Sequence, residues 1–348
     1  IIELRDGSKQ NRYNIRMAPP EPLIPRPLRR EAMERMNTNG NVETPLNEDQ
    51  VRDAITNLRD AGVEGLVVLF MHSHRNGAHE ARVRELVAES GWAPFVSLSH
   101  EVLRREGEYD RVSTAAVNAY VGPGLGGYLN RLAVQLSENR LAAPVLVMQS
   151  TGGVLPLAPA VQHAVGSVTS GPAGGAMAGA MFARLRKEPH LVTYDMGGTS
   201  TDICLIEDGT PLERQETQLG EVKIAVPALD ISALGAGGGS IAWIDSGGIL
   251  DLGPHSAGAA PGPACYGQGG DFPTLSDANL VLGLIAPDTF LGGRLALNRD
   301  LAAKAVETHI AKPLGLSVEN AAYAIHALAS ARIAEGIRAN TVRRGLDP

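Results

Sequence analysis

Leu191-Val-Thr-Tyr-Asp-Met-Gly-Gly-Thr-Ser-Thr-Asp-Ile-Cys-Leu-Ile206 is an apolar strand that ends on an aspartate, turns through two glycines and hydroxyl residues, and returns as a second apolar strand. Backbone amides in such a turn can point together at an anion, because Gly197 and Gly198 carry no side chain to block the approach. Thr199, Ser200 and Thr201 add hydroxyl donors. Asp195 at the strand end, with Asp202 across the turn, is placed to hold a hard cation such as Mg²⁺ directly or through water, Asp195 being the candidate metal ligand. A bare Gly-Gly more often closes an ordinary hairpin with a polar tip. The full spacing Asp-x-Gly-Gly-Thr-x-Thr-Asp between two apolar strands is far more specific. No Gly-Lys-Ser/Thr follows, so this is not a Walker loop.

Downstream, Gly235-Ala-Gly-Gly-Gly-Ser240 precedes an alternating stretch, Ile241-Ala-Trp-Ile-Asp245. Glycines at 235, 237, 238 and 239 are costly in conformational entropy, which points to close approach to a phosphate or substrate, with Ser240 beside them. The whole of 228–275 is glycine-dense with few helix signals. Cys265 sits in a loop stiffened by Pro254, Pro261 and Pro263 and is read as buried packing. Helical patterns follow at 276–285, 298–311 and 317–345, the last with Ser317 as its cap.

Upstream, 144–148 reads as a strand entering the glycine turn Gln149-Ser-Thr-Gly-Gly153, and Ser170-Gly-Pro-Ala-Gly-Gly175 opens a helix, with Ser170 as cap and Pro172 in the first turn. Its run of small residues suits packing close to a sheet. Residues 47–61 and 79–90 read as helices, 65–71 and 95–98 as short buried strands. Residues 113–139 look helical, with a break expected at Gly122-Pro123-Gly124. The first 46 residues carry Pro19, Pro20, Pro22, Pro25, Pro27 and Pro45 and are expected to form a wrapping arm or linker.

Met71-His-Ser-His-Arg-Asn-Gly-Ala-His-Glu80 places His72, His74, His79 and Glu80 just after a strand. These are metal-ligand types, yet Glu80 also begins a helix, where a carboxylate suits the dipole. We read the group as structural or substrate-positioning rather than metal-binding. Arg111, in Glu108-Tyr-Asp-Arg-Val-Ser-Thr114, suits either an anionic partner or an exposed salt bridge.

A chain of 348 residues, 44% hydrophobic and 20% charged, has enough apolar matter for two or three packed lobes. Its net charge of −7 argues against a nucleic-acid partner, whose phosphates call for a basic face. No run approaches the roughly 20 apolar residues of a membrane span. Two cysteines without CxxC spacing fit a reducing compartment, and with no signal peptide the cytoplasm is expected. The chain opens on Ile1 without Met and ends on Pro348 just after a helical pattern, so we expect a piece of a longer protein.

The hairpin turn resembles a phosphate loop of the actin, sugar-kinase and heat-shock-ATPase superfamily, and its wording resembles the hydantoinase A/5-oxoprolinase branch. Met148-Gln-Ser-Thr-Gly-Gly153, Ser170-Gly-Pro-Ala-Gly-Gly175, Leu234-Gly-Ala-Gly-Gly-Gly-Ser-Ile241, Gly253-Pro-His-Ser-Ala-Gly-Ala259, Pro261-Gly-Pro-Ala-Cys-Tyr-Gly267 and Asp277-Ala-Asn-Leu-Val-Leu-Gly283 agree with it in order. The resemblance implies an α/β fold of ribonuclease H-like lobes, mixed sheets flanked by helices. On it, 1–46 is the arm, 47–143 the remainder of an N-terminal lobe, and 144–348 a second nucleotide-binding lobe with a glycine-rich insertion at 228–275 and a helical C-terminal part. It also implies ATP and Mg²⁺ as cofactors, with Asp195 and Asp202 in the reaction centre and Gly197–Thr201, Gly235 and Gly237–Ser240 around the nucleotide. A second Gly-Gly-Thr loop and a C-terminal glycine pair, which the family carries, are not in this sequence.

The implied reaction is phosphorylation of the carbonyl oxygen of a cyclic amide (a hydantoin, 5-oxoproline or a lactam), then ring opening by water. An amide is a poor electrophile and a phosphorylated imidate a good one. A B-type subunit or fused domain is the implied partner, and homo-oligomerisation is left open. A ketone carboxylase subunit shares the resemblance, and a non-catalytic scaffold of the same fold is the alternative of another kind.

Overall fold

A computed structural model of the chain describes residues 2, 13–17, 21–141 and 143–347. Pro19 and Pro20 of the expected arm lie outside the described residues. The described part of that arm includes a two-stranded hairpin of Arg35–Met36 and Val42–Thr44, with Met36 buried. The chain forms two compact units, one of residues 1–173 with 213–229 and the other of 174–212 with 230–348. Segment 144–173 and the returning segment 213–229 group with the first unit.

In the first unit, strands β1 (Gly65–Val68) and β2 (Phe95–Leu98) pair in parallel, Gly65 opposite Phe95 and Val68 opposite Leu98. Helix α1 (Glu48–Asp60) forms because Asn47 caps it by accepting from the Gln50 amide, Glu48 and Asp49 favour its positive end, and Val51, Ile55 and Leu58 repeat on one face. Those residues and Val83, Leu86 and Val87 of α2 (Ala78–Glu89) bury Leu66, Val68 and Leu98 on one side of the two strands. The helix α3 (Glu108–Glu138) covers the other side, where Gly65, Phe95 and Ser97 face it.

The expected break in α3 does not occur. Pro123 lies inside a continuous 31-residue helix. Proline deprives the Ala119 carbonyl of its helical donor, and that oxygen sits against the Gly65 backbone, where an added Cβ would come within 2.6 Å of it. Gly122 is flush with the Phe95 ring, 2.3 Å from where its Cβ would stand. Gly122 and Pro123, read as part of a breaker, are instead the fit between a long helix and the sheet, while Gly124 faces open space.

In the second unit, β3 (Leu191–Met196), β4 (Thr201–Glu207) and β5 (Ile231–Leu234) form an antiparallel sheet with β4 in the middle. Helix α4 (Ser170–Arg186) contains Ser170 as its first residue rather than as the preceding cap. Its small residues meet one face of the sheet: Gly175 lies under the Asp195 carboxylate, Gly179 under Thr193, and Ala180 and Ala183 pack on Ile206 and Leu191. Helix α7 (Val318–Val342), capped by Ser317 accepting from the Asn320 amide, meets the opposite face through Gly336 against Leu234 and Ile203. Asn340 accepts from the Ser232 hydroxyl on that same face.

A second core in this unit joins the hairpin of β6 (Ser240–Ile244) and β7 (Leu250–Ser256) to α5 (Leu275–Val281), α6 (Arg299–Val306) and α7. Thr274 and Asp277 form a capping box at the start of α5, and α6 widens into a π-helical turn over Glu307–Ala311. Cys265 is fully buried in this core beside Asp277, and burial pushes its thiol up, so it is packing and no nucleophile. Cys204 is buried too, its thiol pushed up to about 11 chiefly by burial.

Gly179 is the tightest seam of the helix with the sheet, since its Cβ would stand 2.0 Å from Thr193 Cγ2. Gly179→Val is expected to destabilise the protein by about 1–3 kcal/mol, the usual cost of overpacking, read as a lowered midpoint in thermal or urea unfolding. An unchanged midpoint would refute this packing.

Candidate functional site

The hairpin tip of β3 and β4 is built by register. Asp195 pairs with Asp202 and Met196 with Thr201, so the four residues 197–200 form the turn. The Gly197 amide closes it by donating to the Ser200 carbonyl at 2.9 Å. Asp195, Gly197, Gly198 and Thr199 are exposed. The amides of Gly198, Thr199 and Ser200 donate to no protein acceptor among the described residues. A Cβ on Gly198 would find nothing within 4 Å, and its φ is not in the left-handed region. This glycine is therefore required by neither packing nor backbone geometry, and its bareness leaves the amides open to a ligand.

The Gly235–Ser240 loop is brought against that tip, and its role is support. Gly238 and Gly239 donate their amides to the carbonyls of Gly197 (2.9 Å) and Gly198 (2.7 Å). Gly237 donates to Ser240 Oγ at 2.8 Å, and the Ser240 amide returns to the Gly237 carbonyl at 3.0 Å. A Cβ on Gly237 would lie 2.8 Å from the Gly197 and Gly198 carbonyls, and one on Gly239 would lie 3.0 Å from Gly198. Gly235 takes its place through its carbonyl, which Gly253 approaches closely. At Gly237 and Gly239 the entropic cost of glycine is thus met by backbone-to-backbone packing. Thr201 and Ser240, whose hydroxyls we expected to face a ligand, are fully buried; the Thr201 hydroxyl donates to the Ala236 carbonyl. Thr199 and Ser200 remain at the turn.

Asp195 and Asp202 lie on one face of the sheet, above Gly175 of α4. Burial holds the Asp202 carboxyl above the usual carboxylate range, and the neighbouring Asp195 charge adds to it. Keeping both carboxylates ionised is costly, and a cation between them would lower that cost.

The histidine-rich segment of the first unit is divided in two. His79 bonds Glu34 at 2.8 Å, and Glu80 is fully buried, accepting from the Phe70 amide, Ser99 Oγ and the amide and Nδ1 of His100. Burial works to raise the Glu80 carboxyl, but the hydrogen bonds from His100, Ser73, Ser99 and Phe70 outweigh it and hold it low. Arg111 is neither exposed nor open to an anion: it is 0% exposed, donating to Ser73, Ser99, the Phe70 carbonyl and Glu108. His72 and His74 instead converge on Glu108, a partner 34 residues beyond His74 that their local spacing gave no sign of. The sequence singles that segment out only through Arg111.

Comparison with known proteins decides the family. Its hydantoinase/oxoprolinase model matches residues 111–348, and the hydantoinase/oxoprolinase N-terminal region matches 1–91. The chain belongs to the hydantoinase/oxoprolinase family. This family member is 40% identical over 349 residues to caprolactamase subunit alpha of Pseudomonas jessenii, covering 100% of this chain and 50% of that protein. It is 38% identical over 251 residues to 5-oxoprolinase 1 of Arabidopsis thaliana, covering 72% of this chain and 19% of that one. Among solved structures, a nucleotide-free acetone carboxylase superposes with a TM-score of 0.80 at 30% identity, covering 94% of this chain and 47% of that one. The ATP-dependent caprolactamase of Pseudomonas jessenii superposes with a TM-score of 0.77 at 39% identity, covering 100% and 50%. These likenesses bear out the α/β, actin-like ATPase type of fold. The hydantoinase/oxoprolinase chain spans about half the length of caprolactamase subunit alpha and a smaller share of the longer 5-oxoprolinase. No helix among its described residues is long and apolar enough to cross a membrane.

The carboxylate pair yields a sign that can be measured. A carboxyl whose folded value is raised contributes stability that is present below its unfolded value and is lost as pH rises through the folded one. Asp195→Asn removes one of the two causes of the Asp202 shift, so the Asp202 midpoint in a carboxyl ¹³C NMR titration is expected to fall toward the ordinary range without reaching it, because burial persists. Stability gained on acidification through that window should shrink in parallel. An unmoved Asp202 midpoint would show that the two carboxylates do not interact.

Proposed function

We propose that this chain is the ATP-using part of an enzyme that opens a cyclic amide by activating its carbonyl, the A-type role in a two-part assembly. The observation that carries the reading is the hairpin tip, where three consecutive uncommitted amides, Gly198 to Ser200, stand beside the Asp195 and Asp202 pair. The names of the relatives, a caprolactamase and a 5-oxoprolinase, supply the substrate class.

The residues present fit a magnesium nucleotide. The bare Gly198 edge admits a phosphate, the three amides and the Thr199 and Ser200 hydroxyls supply donors, and Asp195 supplies the hard oxygen that Mg²⁺ favours. When bound, ATP supplies the phosphoryl group that converts an inert amide oxygen into a leaving group. The tip is held stiff by Gly238 and Gly239, so its donors stay aimed without reorganising as charge develops. Asp202, whose carboxyl burial holds above the usual range, supports Asp195 from the next strand. The relative's designation as an alpha subunit supports a separate B-type subunit, or its fused equivalent, as the place where water is activated.

The likeness to acetone carboxylase favours one second reading, ATP-dependent carboxylation of a ketone. Both readings need the same phosphate-holding tip, so the substrate separates them. Bicarbonate-independent ATP consumption with caprolactam, 5-oxoproline or hydantoin is expected, whereas consumption that requires bicarbonate and acetone or acetophenone would replace the first reading by the second.

In the full-length protein, Asp195→Ala is expected to lower substrate-dependent ATP hydrolysis at least about a hundredfold, the scale of losing one electrostatic element in such a site. Near-normal turnover would remove Asp195 from the site. Gly198→Val has free space for its side chain, so it should leave the unfolding midpoint nearly unchanged while weakening nucleotide affinity about tenfold or more in calorimetry. Equal affinity would show that the phosphate does not approach at Gly198.

A further inference from the structure

The first unit holds a group of side chains that the nucleotide reading leaves unused. His72 and His74, on the loop after β1, and Glu108, the first residue of α3, each present one ligand atom, and these atoms lie within 4.8 Å of one another. Ligands held tetrahedrally at about 2.0–2.2 Å from an ion stand about 3.4 Å apart, so small side-chain rotations close the set. His74 Nδ1 is enclosed, with no hydrogen-bond partner among the described residues. A buried imidazole nitrogen without a partner is a lone pair or a proton that the fold has left unsatisfied.

The backbone also points to the cluster. His72 adopts φ +57, a left-handed conformation that a side chain rarely takes and that here sets its ring beside that of His74, with centroids 6.2 Å apart. Glu108 is fixed from behind: Oε1 accepts from Arg111 Nη2 at 3.1 Å and from the His72 amide at 3.4 Å, and Oε2 takes part in neither bond. Ligating carboxylates are commonly oriented by such outer bonds.

The obvious objection is the buried Arg111 guanidinium, a cation beside a proposed cation. Its charge is met on the other side, where it donates to Ser73 and Ser99 and the Ser99 hydroxyl passes a hydrogen bond to the buried Glu80 carboxylate at 2.7 Å. Two carboxylates therefore bracket one guanidinium, and Glu108 keeps negative charge for an ion.

We propose that His72, His74 and Glu108 form a binding site for a first-row transition dication of the zinc kind. Two imidazoles and one carboxylate are the donor set such ions favour over Mg²⁺ or Ca²⁺, which take oxygen ligands. Three protein ligands leave a fourth position for water or for a carbonyl or carboxylate oxygen of a small molecule, the arrangement of catalytic rather than structural zinc. The site lies within the first unit and does not depend on the reading of the hairpin tip.

The test is titration of the metal-stripped, full-length protein with Co²⁺, followed by displacement with Zn²⁺. The expected result is a visible ligand-field band of bound, low-coordinate cobalt that one equivalent of Zn²⁺ abolishes. His74→Asn and Glu108→Gln should each weaken that Zn²⁺ affinity at least tenfold, while the exposed His190→Asn leaves it unchanged. Should Glu108→Gln fail to fold because it loses its bond to Arg111, the wild-type spectrum and His74→Asn still decide. A cobalt spectrum that stays that of the hydrated ion, or Zn²⁺ affinity equal in the wild type and in folded His74→Asn, would overturn the site.

Discussion

The second unit depends on the contact of one backbone with another at Gly237–Gly239. The carbonyls of Gly197 and Gly198 accept from the amides of Gly238 and Gly239, and an added Cβ at Gly237 would lie 2.8 Å from both carbonyls. A tight turn such as 197–200 has few internal bonds to fix its amides. Spending its carbonyls on a neighbouring glycine loop fixes them from behind while the donors of Gly198, Thr199 and Ser200 remain outward. The same loop then leads into β6, and the Ser276 amide donates to the Gly238 carbonyl at 2.8 Å. The turn, the supporting loop and the start of α5 are thereby one hydrogen-bonded piece of backbone, and strain at any of them is felt at the tip.

Support of the sheet itself comes from small residues on both sides. Gly175 and Gly179, four apart on α4, lie under Asp195 and Thr193, two apart on β3, so the helical and strand periods meet along one seam. Gly336 does the same for α7 on the opposite face. The carboxylate of Asp195 rests over Gly175 at what would be an ordinary 3.4 Å from an added Cβ, with no salt bridge among the described residues.

Much of this was legible in the residues because local chemistry and tertiary demand agree. The β3 and β4 strands, the turn between them and the cap at Ser317 all follow from alternation, glycine and short polar side chains. The helix through Pro123 was not legible, since a proline and two glycines read as a breaker until Phe95 and Gly65 are seen to need that flat surface. The roles within the glycine loop were hidden for a related reason. Composition alone does not tell a glycine that yields to a ligand from one that yields to the protein's own backbone. Likewise His72 and His74 gave no sign of Glu108, because their meeting is made by the fold and not by spacing.

That last distinction can be drawn geometrically. Where a hypothetical Cβ strikes protein backbone, as at Gly237 and Gly239, packing explains the glycine fully and no ligand is needed. Where it strikes nothing and φ is ordinary, as at Gly198, any small residue would serve the fold equally well, so the fold gives no reason for glycine. Gly197 stands between the two, its Cβ at an ordinary 3.6 Å from the Ser200 carbonyl. At the turn itself, Gly198 is therefore the glycine that the fold leaves unexplained, and the amides of Gly238 and Gly239 hold that turn in place.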